Sequence, residues 1–126
     1  MNADVTTTLY RPVGQKELDL IAESDWRRFP PRRAEQPIFY PVLTEDYAAK
    51  IARDWNTKSP NSGYVGYMLR FNVGKAYLDR YEVHEVGSRD LREYWIPSEE
   101  LDVFNSNIVG EIELTQEFRP VDSQDG

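Results

Sequence analysis

The stretch YVGYMLRFNV, residues 64–73, most constrains how this chain can fold. Every second position holds a large apolar residue: Val65, Tyr67, Leu69, Phe71 and Val73. The residues between them are smaller or more polar, and strict alternation of this kind places the two sets on opposite faces of a β-strand. We therefore expect a sheet with at least one face buried in a hydrophobic core.

Other segments predict the remaining elements. VTTTLYR, IFYPV, YEVHEVG, LREYWI and IVGEIELTQEF read as strands, and in the last of these Ile112, Leu114 and Phe118 are expected to share one face. GQKELDLIAES, TEDYAAKIARDWN and EELDVFNSN read as helices, and Tyr47 and Trp55 recur at helical spacing in the second. This order predicts an α+β fold with mostly antiparallel strands and two to four short helices.

Length and charge restrict the class of protein. The chain of 126 residues fits one domain, residues 1–126, with mobile ends expected at 1–7 and 120–126. No cysteine is present, which excludes disulfides, thiolate metal sites and a cysteine nucleophile. A net charge of -7 argues against general binding to nucleic acid or anionic membranes. No apolar run approaches a membrane span of about 20 residues and no signal peptide is recognisable, so we expect a cytoplasmic protein.

The segment RRFPPRR, residues 27–33, places four arginines within an acidic chain. Three prolines, Pro30, Pro31 and Pro37, lie within RRFPPRRAEQP and exclude regular structure there, so the segment is expected to form a loop. Arginine forks match phosphate oxygens, and Arg32 is therefore a candidate for binding a phosphate or pyrophosphate. The alternative is a solvated loop whose charges balance nearby acids, and the spacing alone favours that alternative.

Glu93 lies inside a predicted strand, on the same side as Leu91 and Trp95. A carboxylate among large apolar side chains is costly, which indicates either a catalytic or ligand-binding acid or an edge residue paired with Arg92 or Arg89. The sequence alone favours the edge pair. His84, the only histidine, also lies in a predicted strand, where a structural or surface role is favoured over that of a base.

Read in order, LYRPVGQKELDLIAES, IFYPVLTEDYAAKIARDW and EYWIPSEELDVFN resemble the three motif-bearing strands of the ADP-ribosyltransferase fold. Arg11 stands at the arginine position of the first strand, and Glu93 stands at the glutamate position of the third. The frame from Leu9 to Phe118 also resembles a family of small bacterial proteins labelled ADP-ribosylation/crystallin J1. That label is shared with a longer all-helical hydrolase family, whose chemistry we do not transfer to a short, strand-rich chain.

The resemblance implies an enzyme that uses NAD as substrate and needs no metal. Arg11 would bind its phosphates or ribose, Tyr40 or Phe39 would stack on the nicotinamide ring, and Arg32 would hold pyrophosphate. Glu93 would bind the ribose 2′-hydroxyl and stabilise the positive charge that develops as nicotinamide leaves. The ADP-ribose would pass to an acceptor, for which a protein is one candidate.

Two departures from the transferase pattern bear on this function. Phe39 and Tyr40 stand where many transferases carry serine or threonine. Leu91 stands two residues before Glu93, so the paired acids of arginine-modifying transferases are missing.

Two other functions stay open. One is a non-catalytic binding or regulatory module on the same fold, consistent with the incomplete motif and with aromatics such as Trp26, Tyr64 and Trp95. The other is transfer to an RNA phosphate, which the arginine loop favours and the net charge opposes. Convergence of Arg11, an aromatic residue of the second strand and Glu93 on one cleft would favour the enzyme.

Overall fold

The computed structural model describes residues 5–32, 36–87 and 91–120, and this part of the chain is a mixture of antiparallel strands and short helices. The strands are β1 Thr6–Val13, β2 Ile38–Phe39, β3 Gly66–Gly74, β4 Val83–Glu85, β5 Arg92–Tyr94, β6 Ile96–Pro97 and β7 Ile108–Phe118. The helices are α1 Gln15–Glu23, α2 Glu45–Asp54, α3 Lys75–Leu78 and α4 Leu101–Ser106. Single 3-10 turns occupy Asn56–Lys58, Pro60–Ser62 and Ser98–Glu100. The α+β class and the antiparallel pairing are confirmed.

The main sheet has the strand order β1-β3-β7, with β3 in the centre as its alternating sequence requires. Val42 extends this sheet beyond β1, because it pairs with Tyr10 on one side and with Glu93 of β5 on the other. The hairpin-like pair of β5 and β4 then continues in the same direction. A single residue between two strands thus brings the first predicted motif strand close to the third.

The segment IFYPV does not form one strand. Its first two residues form β2, which pairs with β6 in a separate small sheet. Tyr40 and Pro41 carry the chain from that sheet to the main sheet, where the Pro41 carbonyl accepts a 2.9 Å hydrogen bond from the Tyr94 amide. Pro41 has no amide hydrogen for a ladder, and its position at the crossing agrees with a strand end. Tyr40 consequently lies between the two sheets.

The core is built around four phenylalanines that are at most 1% exposed: Phe29, Phe39, Phe71 and Phe104. The Phe29 ring lies 5.0 Å from that of Phe39 and 4.9 Å from that of Phe71. Its backbone amide and carbonyl bond to the two ends of the Asn105 carboxamide, at 2.9 and 3.0 Å. Phe29 therefore anchors the arginine-rich segment RRFPPRR in the core.

Helix α2 packs on β1 and β3 through two alanines, Ala48 and Ala52, which are both 0% exposed. The helix and the strand approach each other closely at Gly66 of β3. A Cβ at this position would lie 2.2 Å from the Ala52 carbonyl oxygen, so only glycine fits. Of the residues that recur at helical spacing, Tyr47 is partly buried against Val42, Ala48 and Met68, whereas Trp55 lies on the solvent side. Trp55 is 72% exposed.

Two expectations need correction. Thr6 and Thr7 do not belong to a mobile end, since they pair with Gly74 and Val73 in β1 and β3. The tail beyond 120 lies outside the described residues. Ile112 is 2% exposed but Leu114 is 43% exposed, so they do not share a buried face. Two register shifts in the β3–β7 pairing interrupt the alternation along β7. Helix α3 was not expected from the sequence.

Candidate functional site

Glu93 occupies the centre of β5 and is only 9% exposed. One carboxylate oxygen, Oε2, accepts a 3.0 Å hydrogen bond from the Tyr47 hydroxyl, and the other, Oε1, accepts a 2.8 Å bond from the Trp95 indole N–H. Arg92, the expected edge partner, is exposed and lies on the opposite face of the strand, as neighbouring strand residues must. Arg89 lies outside the described residues. Neutral donors thus hold both oxygens of this carboxylate in place.

Tyr47 reaches Glu93 from the first turn of α2. Burial, followed by the hydrogen bond and the charge of Glu93, raises the pKa of Tyr47 to about 12. The hydroxyl therefore keeps its proton at neutral pH and acts as a donor to the carboxylate. Ile51, one helical turn further on, lies on the same side of α2 and faces the same cavity as Glu93.

Trp95 belongs to a group of three rings beside Glu93. The His84 imidazole stacks on the indole, with centroids 3.7 Å apart and planes within 5° of parallel. The Tyr40 ring meets the indole edge-on, at 6.3 Å and 83°. Tyr40 and Trp95 are 41% and 43% exposed, so they present aromatic surface to a ligand.

Arg11 enters the site from β1 and is only 9% exposed. Its Nε and Nη2 atoms bind the two carboxylate oxygens of Glu17, at 2.7 and 3.0 Å. Its guanidinium carbon lies 4.6 Å from the centroid of the Phe39 ring, a cation–π contact that supports it from the core side. Carboxylate and ring together fix the direction of the guanidinium group.

Arg32 lies near Arg11, and its guanidinium carbon is 5.8 Å from the centroid of the same Phe39 ring. Its Nη2 donates a 3.2 Å hydrogen bond to the Ile38 carbonyl, while its Nε is buried without a hydrogen-bond partner. Burial, and next the positive charge of Arg11, lower the pKa of Arg32. Two guanidinium groups close enough to interact, one with an unsatisfied donor, form an arrangement that an anion would stabilise.

Two cavities open beside these residues and share Arg11, Pro12 and Asn56. The first, called the apolar cavity, measures about 460 Å³ and includes Glu93. Its wall consists mainly of Tyr40, Val42, Ile51, Val86 and Trp95. The second, called the polar cavity, measures about 600 Å³, and its lining includes Lys16, Glu17, Pro31, Arg32, Gln36 and Ser62. The two cavities thus offer an apolar space next to a polar, arginine-lined one.

Three of the residues predicted from the sequence, Arg11, Tyr40 and Glu93, line the apolar cavity together. Arg32 lines the polar cavity, to which Arg11 also contributes. Phe39 is the exception, because it is 0% exposed and lies in the core beneath Arg11. It has no free face for a ligand, so Tyr40 is the aromatic residue of this segment that can stack on one.

Sequence reasoning did not identify Tyr47, Trp95 and Asn56 as site residues. Tyr47 carried a signal in its four-residue spacing from Ile51, which places both side chains on one side of a helix. Trp95 carried one in its two-residue spacing from Glu93, which places both side chains on one face of a strand. Asn56 carried no signal; it follows the end of α2, and its Oδ1 atom is buried without a hydrogen-bond partner.

Metal-binding groups and membrane-spanning helices are two further kinds of feature that bear on function. In residues 5–32, 36–87 and 91–120, no group of three or more His, Asp or Glu side chains could hold a metal ion. Within the same ranges, every helix is too short or too polar to cross a membrane.

Comparison with known proteins leaves the site to be interpreted from its own geometry. No protein-family model matches the chain, and no curated protein matches it significantly. The function must therefore be argued from a rigidly held carboxylate, an aromatic wall and a pair of arginines around two joined cavities.

Proposed function

We propose that this protein binds NAD and cleaves the bond between nicotinamide and ribose, as an ADP-ribosyltransferase-like domain that passes ADP-ribose to a nucleophilic acceptor. One observation carries the proposal. Arg11, Tyr40 and Glu93 come from three separate segments, and all three line the apolar cavity. Their order along the chain is that of the transferase motifs, so their convergence is the condition that such an enzyme must meet.

The two joined cavities agree in chemistry with a dinucleotide. NAD carries an uncharged carboxamide on a flat ring at one end and two phosphates in the middle. The apolar cavity offers the exposed rings of Tyr40 and Trp95 for stacking. The polar cavity offers Lys16 and Arg32, with Arg11 between the two spaces, for the phosphates.

Glu93 would supply the electrostatic part of the reaction. Its carboxylate, held by Tyr47 and Trp95, would accept a hydrogen bond from the ribose 2′-hydroxyl through a remaining lone pair. The bond between ribose C1′ and the ring nitrogen would break, and its electron pair would leave with neutral nicotinamide. The positive charge that develops on the sugar would be stabilised by the nearby carboxylate. An acceptor nucleophile would then bond to C1′ and release its proton.

Release of nicotinamide from NAD by the purified protein tests the proposal, with Glu93→Gln as the inactivating change. Glu85→Gln is the matched control, because Glu85 is an exposed acid on the neighbouring strand β4. The proposal predicts release that Glu93→Gln abolishes and Glu85→Gln preserves. Absence of nicotinamide release would overturn the proposed cleavage, and the further absence of a rise in melting temperature on adding NAD would overturn NAD binding as well.

A non-catalytic binding module on the same scaffold is the second candidate, and the state of Arg11 favours it. Glu17 already occupies two guanidinium nitrogens of Arg11, which leaves fewer donors for a phosphate. A module of this kind would show an NAD-induced rise in melting temperature without nicotinamide release. Glu93→Gln would then change affinity but no reaction rate.

A further inference from the structure

His84 is linked to Glu93 through a single indole ring. The pairing of β4 with β5 places His84 directly opposite Glu93, and opposite residues of antiparallel strands project to the same face. Trp95 lies two residues beyond Glu93 and projects to that face as well. The imidazole covers the indole at 3.7 Å, and the indole N–H binds Glu93 at 2.8 Å. His84 itself does not line the apolar cavity.

The Trp95 side chain needs such support. It is 43% exposed and follows the last residue of the short strand β5, so the core leaves one side of it open. Two side-chain torsions set the direction of its N–H, and other rotamers would turn that group away from Glu93. The nearly parallel stack of His84, at 5°, restricts those torsions.

We propose that His84 is a positioning residue: its ring holds the Trp95 indole in the orientation that donates to Glu93 and forms the aromatic wall with Tyr40. The consequence for NAD cleavage rests on the proposed function. The positioning of the Trp95 indole by His84 does not rest on the proposed function, because it concerns contacts within the protein alone. One ring thus controls two features of the cavity, the acid and its stacking surface.

The shape of the ring distinguishes this role from others. Stacking needs a flat ring at position 84, whereas general acid–base chemistry needs an imidazole nitrogen. His84→Phe keeps a flat ring and removes both nitrogens, while His84→Ala removes the stack. Val83→Ala is the matched control, since Val83 is exposed and its side chain projects to the other face of β4.

The first experiment measures hydrogen exchange of the Trp95 indole N–H by nuclear magnetic resonance of isotope-labelled protein, assigned with Trp95→Phe. Wild type and Val83→Ala should show slow exchange, because the N–H is bonded to Glu93. His84→Ala should exchange at least about tenfold faster, towards the rate of the exposed Trp55 indole, and His84→Phe should restore the protection. Unchanged protection in His84→Ala, or no rescue by His84→Phe, would overturn the inference.

The second experiment compares nicotinamide release by the same variants. His84→Ala should release nicotinamide at least about tenfold more slowly than wild type, and His84→Phe should approach the wild-type rate. Loss of release in His84→Phe despite restored protection would mean that the imidazole acts chemically and would overturn a purely positional role. If wild type itself releases none, the proposed function fails, and the exchange experiment alone decides the role of His84.

Discussion

Tyr47 and Glu93 lie 46 positions apart in sequence, and the Tyr47 hydroxyl donates a 3.0 Å hydrogen bond to Oε2 of Glu93. This bond ties the first turn of α2 to the centre of β5. Trp95 binds the other oxygen at 2.8 Å, so donors from two different elements fix the plane of the carboxylate. In the proposed reaction, a carboxylate held in this manner would need no reorganisation when positive charge develops beside it.

Replacing Tyr47 with Phe should lower the rate of nicotinamide release by roughly 10- to 150-fold, because a hydrogen bond to a charged group is worth about 1.5–3 kcal/mol. The ring stays in place, so folding should be retained. Nicotinamide release and the NAD-induced shift in melting temperature measure the effect. Tyr64→Phe, at an exposed position, is the control. Equal rates for Tyr47→Phe and wild type would show that the bond does not serve the reaction.

The same bond should give the stability of the fold a dependence on alkaline pH. Burial and the Glu93 contact raise the pKa of Tyr47 from 10.0 to about 12, so the folded protein holds this proton more tightly than the unfolded chain. The resulting stability is complete below pH 10 and is lost as the pH rises through about 12. Urea denaturation at several pH values should show a smaller decline for Tyr47→Phe than for wild type. An identical decline would contradict this assignment.

Asn105 should be important for stability, because its carboxamide binds both the amide and the carbonyl of Phe29. Asn105→Ala leaves these backbone groups without their partners and should reduce the free energy of unfolding by roughly 1–3 kcal/mol. Asn107→Ala removes a comparable bond at the exposed end of α4 and should cost less. Chemical denaturation compares the two variants; equal losses would show that the loop is not anchored through Asn105.

Local patterns in the sequence were sufficient to predict β3. The five alternating apolar residues, from Val65 just before β3 to Val73, are all at most 5% exposed, since a two-residue period depends only on neighbouring residues. The alternation did not predict that Met68, on the other face, is also 0% exposed, because that burial comes from packing against Ala48 of α2. The same reasoning was wrong for Leu114 in β7. Register shifts depend on how two strands pair, which no single segment encodes.

For the candidate site too, local sequence identified residues but not the contacts that bring them together. Arg11, Tyr40 and Glu93 were identified from the resemblance of their segments, but their meeting depends on Val42, which bridges β1 and β5. Spacing in α2 predicted that Tyr47 lies on an apolar face. Only the folded arrangement shows that the Tyr47 hydroxyl reaches Glu93 and that Ile51, on the same side of the helix, lines the apolar cavity.

Gly66 should tolerate no side chain. A Cβ at this position would lie 2.2 Å from the backbone oxygen of Ala52, so α2 would have to move away from β3. Gly66→Ala should therefore lower the free energy of unfolding by about 1–3 kcal/mol or more. Gly74→Ala is the control on the same strand, because its Cβ would meet no atom closer than 3.9 Å. Urea denaturation measures both variants, and comparable stabilities would disprove the close approach of α2.

Glu17 should weaken the affinity of the arginine pair for anions. Its carboxylate occupies two nitrogens of Arg11. Its negative charge also acts on Arg32: burial and the charge of Arg11 lower the pKa of Arg32, and Glu17 partly opposes that lowering. Glu17→Gln removes one negative charge from the polar cavity. Pyrophosphate, used as a probe in titration calorimetry, should then bind about fivefold more tightly, equivalent to about 1 kcal/mol.

Glu23→Gln makes the same change in charge at an exposed position of α1, and it separates this local effect from that of net charge. It should leave pyrophosphate affinity near that of wild type at moderate salt, where distant surface charges are screened. Weaker binding by Glu17→Gln would contradict the prediction. Glu17 would then be required to aim Arg11 at the ligand, because a guanidinium that loses its bidentate partner also loses its fixed direction.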